Sequence, residues 1–219
     1  MSLAGLVFAL ILGSVSGLQN SDPASVATAV EGLQRRYQAV RTISGKFTQT
    51  YRAPGVEQIE SGTLSMKKPG LMRWDYRDPE VKLFIADGRS TYLYTPESRQ
   101  VLVRPLSAAD LRSTPLQFLL GQGEVAKSFS ASWEKELAPR LEGTLILRLT
   151  PHAPQPDYAF LVLELDRRTF ELRRIVIREL TTNTSEFILT DLATNVKVDD
   201  SQFRFKIPRG VEVVQVDDK

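Results

Sequence analysis

The chain has 219 residues and not one of them is cysteine. Disulfides, thiolate metal sites and a cysteine nucleophile are therefore excluded. So is the lipid-modified N-terminal cysteine that a bacterial lipoprotein requires. Histidine is almost as scarce: His152 stands alone, in a loop that also holds Pro151, Pro154 and Pro156. A Ser-His-Asp triad would have to use that residue, and no nucleophile-elbow motif accompanies it. There is no HExxH pattern, P-loop or dinucleotide glycine fingerprint. Carboxylates are common, but nothing nominates a pair for glycoside hydrolysis. Most alternate with bases, as in Glu164, Asp166 and Arg168, or Arg173, Arg178 and Glu179, which is the pattern of solvated strand faces. No enzyme activity, metal or cofactor is expected.

Charge of one sign is also lacking. Lys and Arg number 28 against 26 Asp and Glu, a net charge of +2. No basic field of the kind that attracts nucleic acid results. Long apolar runs are missing except for Leu3 to Val15, too short for a membrane span of about 20 residues. Small residues Ser16 and Gly17 follow that run, and polar sequence begins at Gln19. This is the layout of a signal peptide, although no Lys or Arg precedes Leu3. Residues 1–17 are expected to be removed after Gly17, and 18–219 to form one exported, soluble, periplasmic domain. At 42% hydrophobic and 25% charged, the chain has the composition of an ordinary globular protein.

Asp22-Pro23 carries a helix-start signature, with Asp22 as cap and Pro23 in the first helical position. Val26, Val30, Leu33, Tyr37 and Val40 then recur at spacings of three and four, one apolar stripe. From Thr42 the period becomes two. Strands are predicted near 42–52, 57–67, 71–77, 80–87, 90–95 and 99–104, then near 129–137, 143–150, 159–166, 170–180 and 184–192. Turn residues separate them: Pro54-Gly55, Pro69-Gly70, Asp78-Pro79 and Asp87-Gly88 among others. Short connections predict an antiparallel meander. A second helix is predicted over Ser107 to Leu120, apolar on most of its circumference, with Thr114-Pro115 and Gly121 as punctuation. A turn near Glu124 to Lys127 and a short last strand over Phe203 to Ile207 complete the expectation. About eleven twisted antiparallel strands tend to curl upon themselves, and helices on the concave side plug the opening.

Several stretches resemble one family in order and spacing. They are Gly45-Lys46-Phe47-Thr48-Gln49, Gly62-Thr63-Leu64, and Lys68-Pro69-Gly70-Leu71-Met72-Arg73-Trp74 followed by Pro79. Ala86-Asp87-Gly88 with Tyr92-Leu93-Tyr94, Thr114-Pro115-Leu116 before Leu119-Leu120, and Phe203-Arg204-Phe205 with Pro208-Arg209-Gly210-Val211 continue the series. Together they resemble the LolA family of periplasmic carriers of outer-membrane lipoproteins, over nearly all of the chain after residue 17. The resemblance implies a mainly β fold of the α+β kind: an incomplete antiparallel β-barrel with a helical lid over a hydrophobic cavity. It implies a carrier that binds lipoprotein acyl chains, expected to be a monomer; a binding module or sensor for another lipid on the same fold is the alternative reading. The cargo would come from an inner-membrane releasing complex of the LolCDE type and pass to an outer-membrane acceptor of the LolB type. The missing cysteine argues against the acceptor itself, which is a lipoprotein.

Strand alternation then nominates the cavity wall. Met72, Trp74 and Tyr76 share one face of their strand, and Tyr92 and Tyr94 are expected on the same wall. A one-residue slip of register would exchange the latter two for Leu93. Leu116, Phe118 and Leu119 are expected on the inner face of the lid, with Val30, Leu33 and Tyr37 contributed by the first helix. Many members of the family have Arg-Pro where this chain has Lys68-Pro69, and that arginine is thought to hold the lid closed. Lysine offers a point charge in place of a planar fork of donors. Lid control is accordingly expected from Lys68, with Arg73 sharing the role.

Overall fold

The computed structural model describes residues 25–106 and 124–216. The apolar stripe of the first helix becomes α1 (Val26–Ala39). Its cap is Ser25, whose Oγ accepts the Thr28 N–H at 3.1 Å. The helix thus begins later than the Asp22-Pro23 signature predicts; those two residues lie outside the described ones. Ser caps as well as Asp does, because either oxygen satisfies a free amide of the first turn.

Six strands follow as a meander: β1 (Thr42–Ala53), β2 (Val56–Lys67), β3 (Leu71–Asp78), β4 (Lys82–Asp87), β5 (Ser90–Thr95) and β6 (Gln100–Pro105). A single helical turn, α2 (Val125–Ser128), leads into a second meander. This comprises β7 (Phe129–Trp133), β8 (Thr144–Pro151), β9 (Tyr158–Asp166), β10 (Leu172–Glu179) and β11 (Thr184–Thr194). The strand predicted over 129–137 stops at Trp133. The Glu134 carboxylate there accepts the main-chain N–H groups of Lys135 and Glu136 at 2.9 and 2.6 Å and turns the chain.

The two meanders join through antiparallel pairing of β1 with β11, in which Phe47 stands opposite Leu189. The result is one sheet of twelve strands in the order β12-β6-β5-β4-β3-β2-β1-β11-β10-β9-β8-β7, open between β12 and β7. The twelfth strand, β12 (Glu212–Gln215), is a correction to the sequence reading. It runs parallel to β6, whereas the predicted strand at 203–207 does not form. Asp199 instead caps a 3-10 turn over Asp200–Phe203, accepting from the Ser201 amide at 2.8 Å.

One buried apolar cluster takes in α1 (Ala29, Val30, Leu33, Tyr37), β3 (Met72, Trp74) and β8 (Leu145, Leu147, Leu149). Those strands are far apart in the sheet order, so the sheet wraps around the helix. Side-chain bonds fasten α1 to the sheet and its turns. The Tyr37 hydroxyl accepts the Leu172 amide at 3.1 Å, and Gln34 Oε1 accepts the Val125 amide at 2.8 Å. Arg36 pairs with Glu171, and Lys68 Nζ donates to the Tyr37 carbonyl. A side chain at Gly32 would meet the Phe170 ring at 2.4 Å, so glycine there lets the β9–β10 turn pack onto the helix.

Candidate functional site

Register decides which side chains share the face that α1 covers. Leu64 stands opposite Trp74, and Met66 opposite Met72. Trp74 faces Phe84, and Phe84 faces Leu93, which in turn faces Leu102. Directly paired residues project to the same side of a sheet, so these form one inner wall. Phe47 lies edge-on to both Trp74 and Tyr76, with ring centroids 4.7 and 4.9 Å apart, and Trp74 contacts Phe187 at 5.5 Å. Edge-to-face packing of this kind fixes the rings. Met72 and Trp74 are buried, while Tyr76, Phe84, Leu93 and Leu102 are only half-buried. Under α1 the second half of the sheet is closed: Leu147, Leu149, Leu161 and Leu163 are 0% exposed. The inner face thus has a sealed half and a half-covered half.

Val30, Leu33, Tyr37, Met72 and Trp74 come together in the cluster, with Tyr76 packed at its margin. Tyr92 and Tyr94 do not. Tyr92 is opposite Ile85, which is opposite Arg73; Tyr94 is opposite Leu83, which is opposite Asp75. Both tyrosines therefore project from the outer face, and Leu93 takes the inner position. The reason is that β5 is apolar on both sides. The C-terminal segment crosses its outer face and sets Phe205 against Tyr92 and Tyr94 at 5.5 and 5.4 Å. Beneath it Ile85, Val101 and Phe203 are buried.

Arg73 is also on the outer face. Its guanidinium grips Asp75 through two bonds of 2.7 Å and donates to the Gln202 carbonyl at 3.0 Å. It anchors the tail, so the expectation that it controls a lid over the inner face is corrected. Lys68 does reach the inner side, where it holds the last turn of α1. Burial lowers its pKa. Leu116, Phe118 and Leu119 lie outside the described residues.

Beyond Tyr76 the inner wall turns polar. Gln49 is opposite Glu60, and Tyr76 is opposite Lys82. The Tyr76 hydroxyl donates to Gln49 Oε1 at 2.9 Å. Lys82 Nζ pairs with Glu60 and lies 5.0 Å from the centre of the Tyr76 ring. Gln58 Nε2 donates to the same Glu60 oxygen at 3.3 Å. Burial first, and then the Glu60 charge, push the Tyr76 phenol above its ordinary range. Glu60 is only 7% exposed. Single residues scattered over four strands gave no signal of this cluster in the sequence; only register assembles it.

The outer face of the second meander carries a buried ion network, and one of its members, Glu164, is a residue that the sequence reading placed on a solvated face. Arg174 Nη1 binds Glu164 at 2.7 Å and its Nε binds Glu186 at 2.9 Å. All three residues are under 5% exposed. Among the described residues no group of three or more His, Asp or Glu is placed to hold a metal ion. No helix among them is long and apolar enough to cross a membrane.

The sequence profile described as outer membrane lipoprotein carrier protein LolA matches residues 38–206. A relative from Hahella chejuensis, named outer-membrane lipoprotein carrier protein, is 28% identical over 209 residues, covering 94% of this chain and 97% of its own. One of the same name from Cupriavidus necator is 30% identical over 194 residues, covering 86% and 89%. Among solved structures, an uncharacterised conserved protein from Thermus thermophilus superposes with a TM-score of 0.53. Its sequence identity is 12%, over 87% of this chain and 98% of that one, so the likeness is one of fold.

Proposed function

The chain belongs to the LolA family of outer-membrane lipoprotein carrier proteins, and from that premise we propose that it is a periplasmic chaperone for lipoproteins. It binds the acyl chains of a lipoprotein released from the inner membrane and carries the cargo to the outer membrane. The observation that supports this most directly is the half-covered inner wall of Tyr76, Phe84, Leu93 and Leu102, continuous with the sealed core under α1. A wall of this kind can trade water for hydrocarbon without unfolding.

The physical requirement is simple. Each methylene taken out of water is worth about 0.8 kcal/mol, so a chain of ordinary length cannot cross an aqueous compartment alone. The carrier must cover most of that surface and still release it. That calls for a cover in a shallow two-state equilibrium, open with cargo and closed without. The segment with Leu116, Phe118 and Leu119 is proposed as the lid. Val30, Leu33 and Tyr37 on α1 are the side chains that cargo would displace. Lys68 would set how firmly α1 stays down, by its bond to the Tyr37 carbonyl. Binding and release need no covalent step. The proposed partners are a LolCDE-type complex that loads the carrier and a LolB-type acceptor that unloads it. Residues 1–17 would direct export, and the carrier would act as a monomer.

The test is a release assay. Spheroplasts with labelled lipoproteins are incubated with the purified protein, and the supernatant is examined for a soluble complex. Lipoprotein in solution only when the protein is added supports the carrier reading. No release from spheroplasts that still deliver lipoprotein to their own carrier would overturn it.

A further inference from the structure

The apolar inner wall ends at a boundary that pure hydrocarbon binding does not require. Along β1 the inward residues run Phe47 then Gln49; along β2, Leu64, Gly62, then Glu60; along β3, Trp74 then Tyr76; along β4, Phe84 then Lys82. Across these four neighbouring strands the change from apolar to polar falls within two adjacent rows: Tyr76 and Lys82 share the row of Phe47 and Gly62, and Gln49 and Glu60 stand one row further on. The polar groups are knitted together there, as Lys82 to Glu60, Gln58 to Glu60 and Tyr76 to Gln49.

Burying an ion pair on an otherwise apolar face is costly, and a well-packed hydrophobic pair in its place is often as stable or more so. Stability alone thus gives little reason for Glu60 and Lys82 to be there. Their chemistry suits a ligand that is apolar for most of its length and polar at one end. Gln49 uses its oxygen on Tyr76, and its amide N–H groups remain for an acceptor. The Lys82 ammonium has three donors, of which Glu60 takes one. Glu60 supplies acceptor oxygens. Donors and acceptors side by side match carbonyl groups and N–H groups held close together.

Resting on the carrier reading above, we propose that Gln49, Glu60, Tyr76 and Lys82 form a polar subsite for the ester and amide linkages that join acyl chains to the cargo's first residue. The chains then lie along Trp74 and Phe84 toward Met72 and Ala86. The linkage sits beside Tyr76. The peptide leaves over the turns Ala53–Val56 and Asp78–Lys82, which are the nearest connections at that end of the strands. The subsite sets which way round a lipoprotein is held, and it distinguishes a lipopeptide from a bare hydrocarbon.

The experiment compares two ligands on one pair of proteins. Wild type and Glu60→Gln/Lys82→Met are titrated with a synthetic triacylated lipopeptide and with the apolar fluorophore 1-aminoanthracene. The double change removes both charges together and leaves neither stranded. Losing two or so hydrogen bonds should weaken lipopeptide binding about tenfold, with fluorophore binding altered less than about twofold. Equal affinity for the lipopeptide in both proteins overturns the subsite, and so does a parallel loss for both ligands. If the wild type takes up the fluorophore and no lipopeptide, it is the carrier reading that fails. Should the double variant not fold, Gln49→Met makes the same comparison without touching the ion pair, and the same two outcomes overturn the proposal.

Discussion

Lys68 Nζ donates to the main-chain oxygen of Tyr37, so the β2–β3 turn holds the end of α1. The last carbonyls of a helix have no partner within it, and a cation there also meets the negative end of the helix dipole. Replacing Lys68 with Ala should loosen the final turn of α1. Amide exchange over residues 33–39 is expected to quicken several-fold, with about 1–2 kcal/mol lost from global stability. Lys68→Arg should restore most of it, since the guanidinium also reaches a single carbonyl. Unchanged exchange in Lys68→Ala would remove this residue from any account of how the helix is held.

The two faces of β5 give a second test. Leu93 is half-buried on the inner wall, and Tyr94 packs outward on Phe205. Leu93→Glu should lower affinity for an apolar fluorophore at least about tenfold while changing stability by less than about 1 kcal/mol, as half-exposed sites do. Tyr94→Glu should leave fluorophore binding alone and cost about 1–3 kcal/mol by detaching the tail. The reverse pattern would place the ligand on the wrong side of the sheet.

That distinction marks where sequence ran out. The stripe of Val30, Leu33 and Tyr37, and turns such as Asp87-Gly88 and Pro69-Gly70, are local signals, and the elements they define stand where expected. A strand reading Ser-Thr-Tyr-Leu-Tyr-Thr is apolar on both faces, so alternation cannot say which face is inside. Phe203, Phe205 and Ile207 alternate like a strand. Phe203 instead serves a small core on the outer face and Phe205 packs there on the two tyrosines, while the pairing partner of β6 begins at Glu212, five residues beyond Ile207. Glu164, Arg174 and Glu186 look like surface charges one by one. Pairing of β9 with β10 and of β10 with β11 brings them into a single buried network. Glu60 and Lys82 are joined by the same long-range logic, across three strands.

Gly62 shows what a short anchor motif means physically. A Cβ at that position would come within 1.9 Å of the Asp75 carbonyl oxygen and 3.0 Å of the Phe47 ring. Backbone cannot step aside as a flexible side chain can. Gly62→Ala should force β2 and β3 apart, costing about 3 kcal/mol or more, and should disturb Tyr76, its pairing partner. Urea unfolding checks the stability, and tyrosine fluorescence the wall. A change below about 1 kcal/mol would mean the strands tolerate the methyl group and the close approach is not required.

Acid should weaken the protein partly through Glu164. Burial alone would raise its pKa, but Arg174, the Thr144 hydroxyl and the amides of Leu141 and Arg140 all bind the charged form and together hold it below the ordinary value. A carboxyl with a lower pKa folded than unfolded stabilises the fold above the unfolded value. That contribution fades as pH falls through about 4.3 toward the folded value. The urea midpoint of the wild type should therefore drop between about pH 5 and pH 3. Glu164→Gln removes the charge and leaves Arg174 with Glu186 as its remaining buried partner. At neutral pH the variant should lose about 3 kcal/mol, the lower end for a broken buried pair, because Glu186 still compensates the guanidinium. Its midpoint should also fall less steeply through the acid range. Parallel pH curves for the two proteins would show that Glu164 titrates alike folded and unfolded, and acid sensitivity would then have to come from other carboxylates.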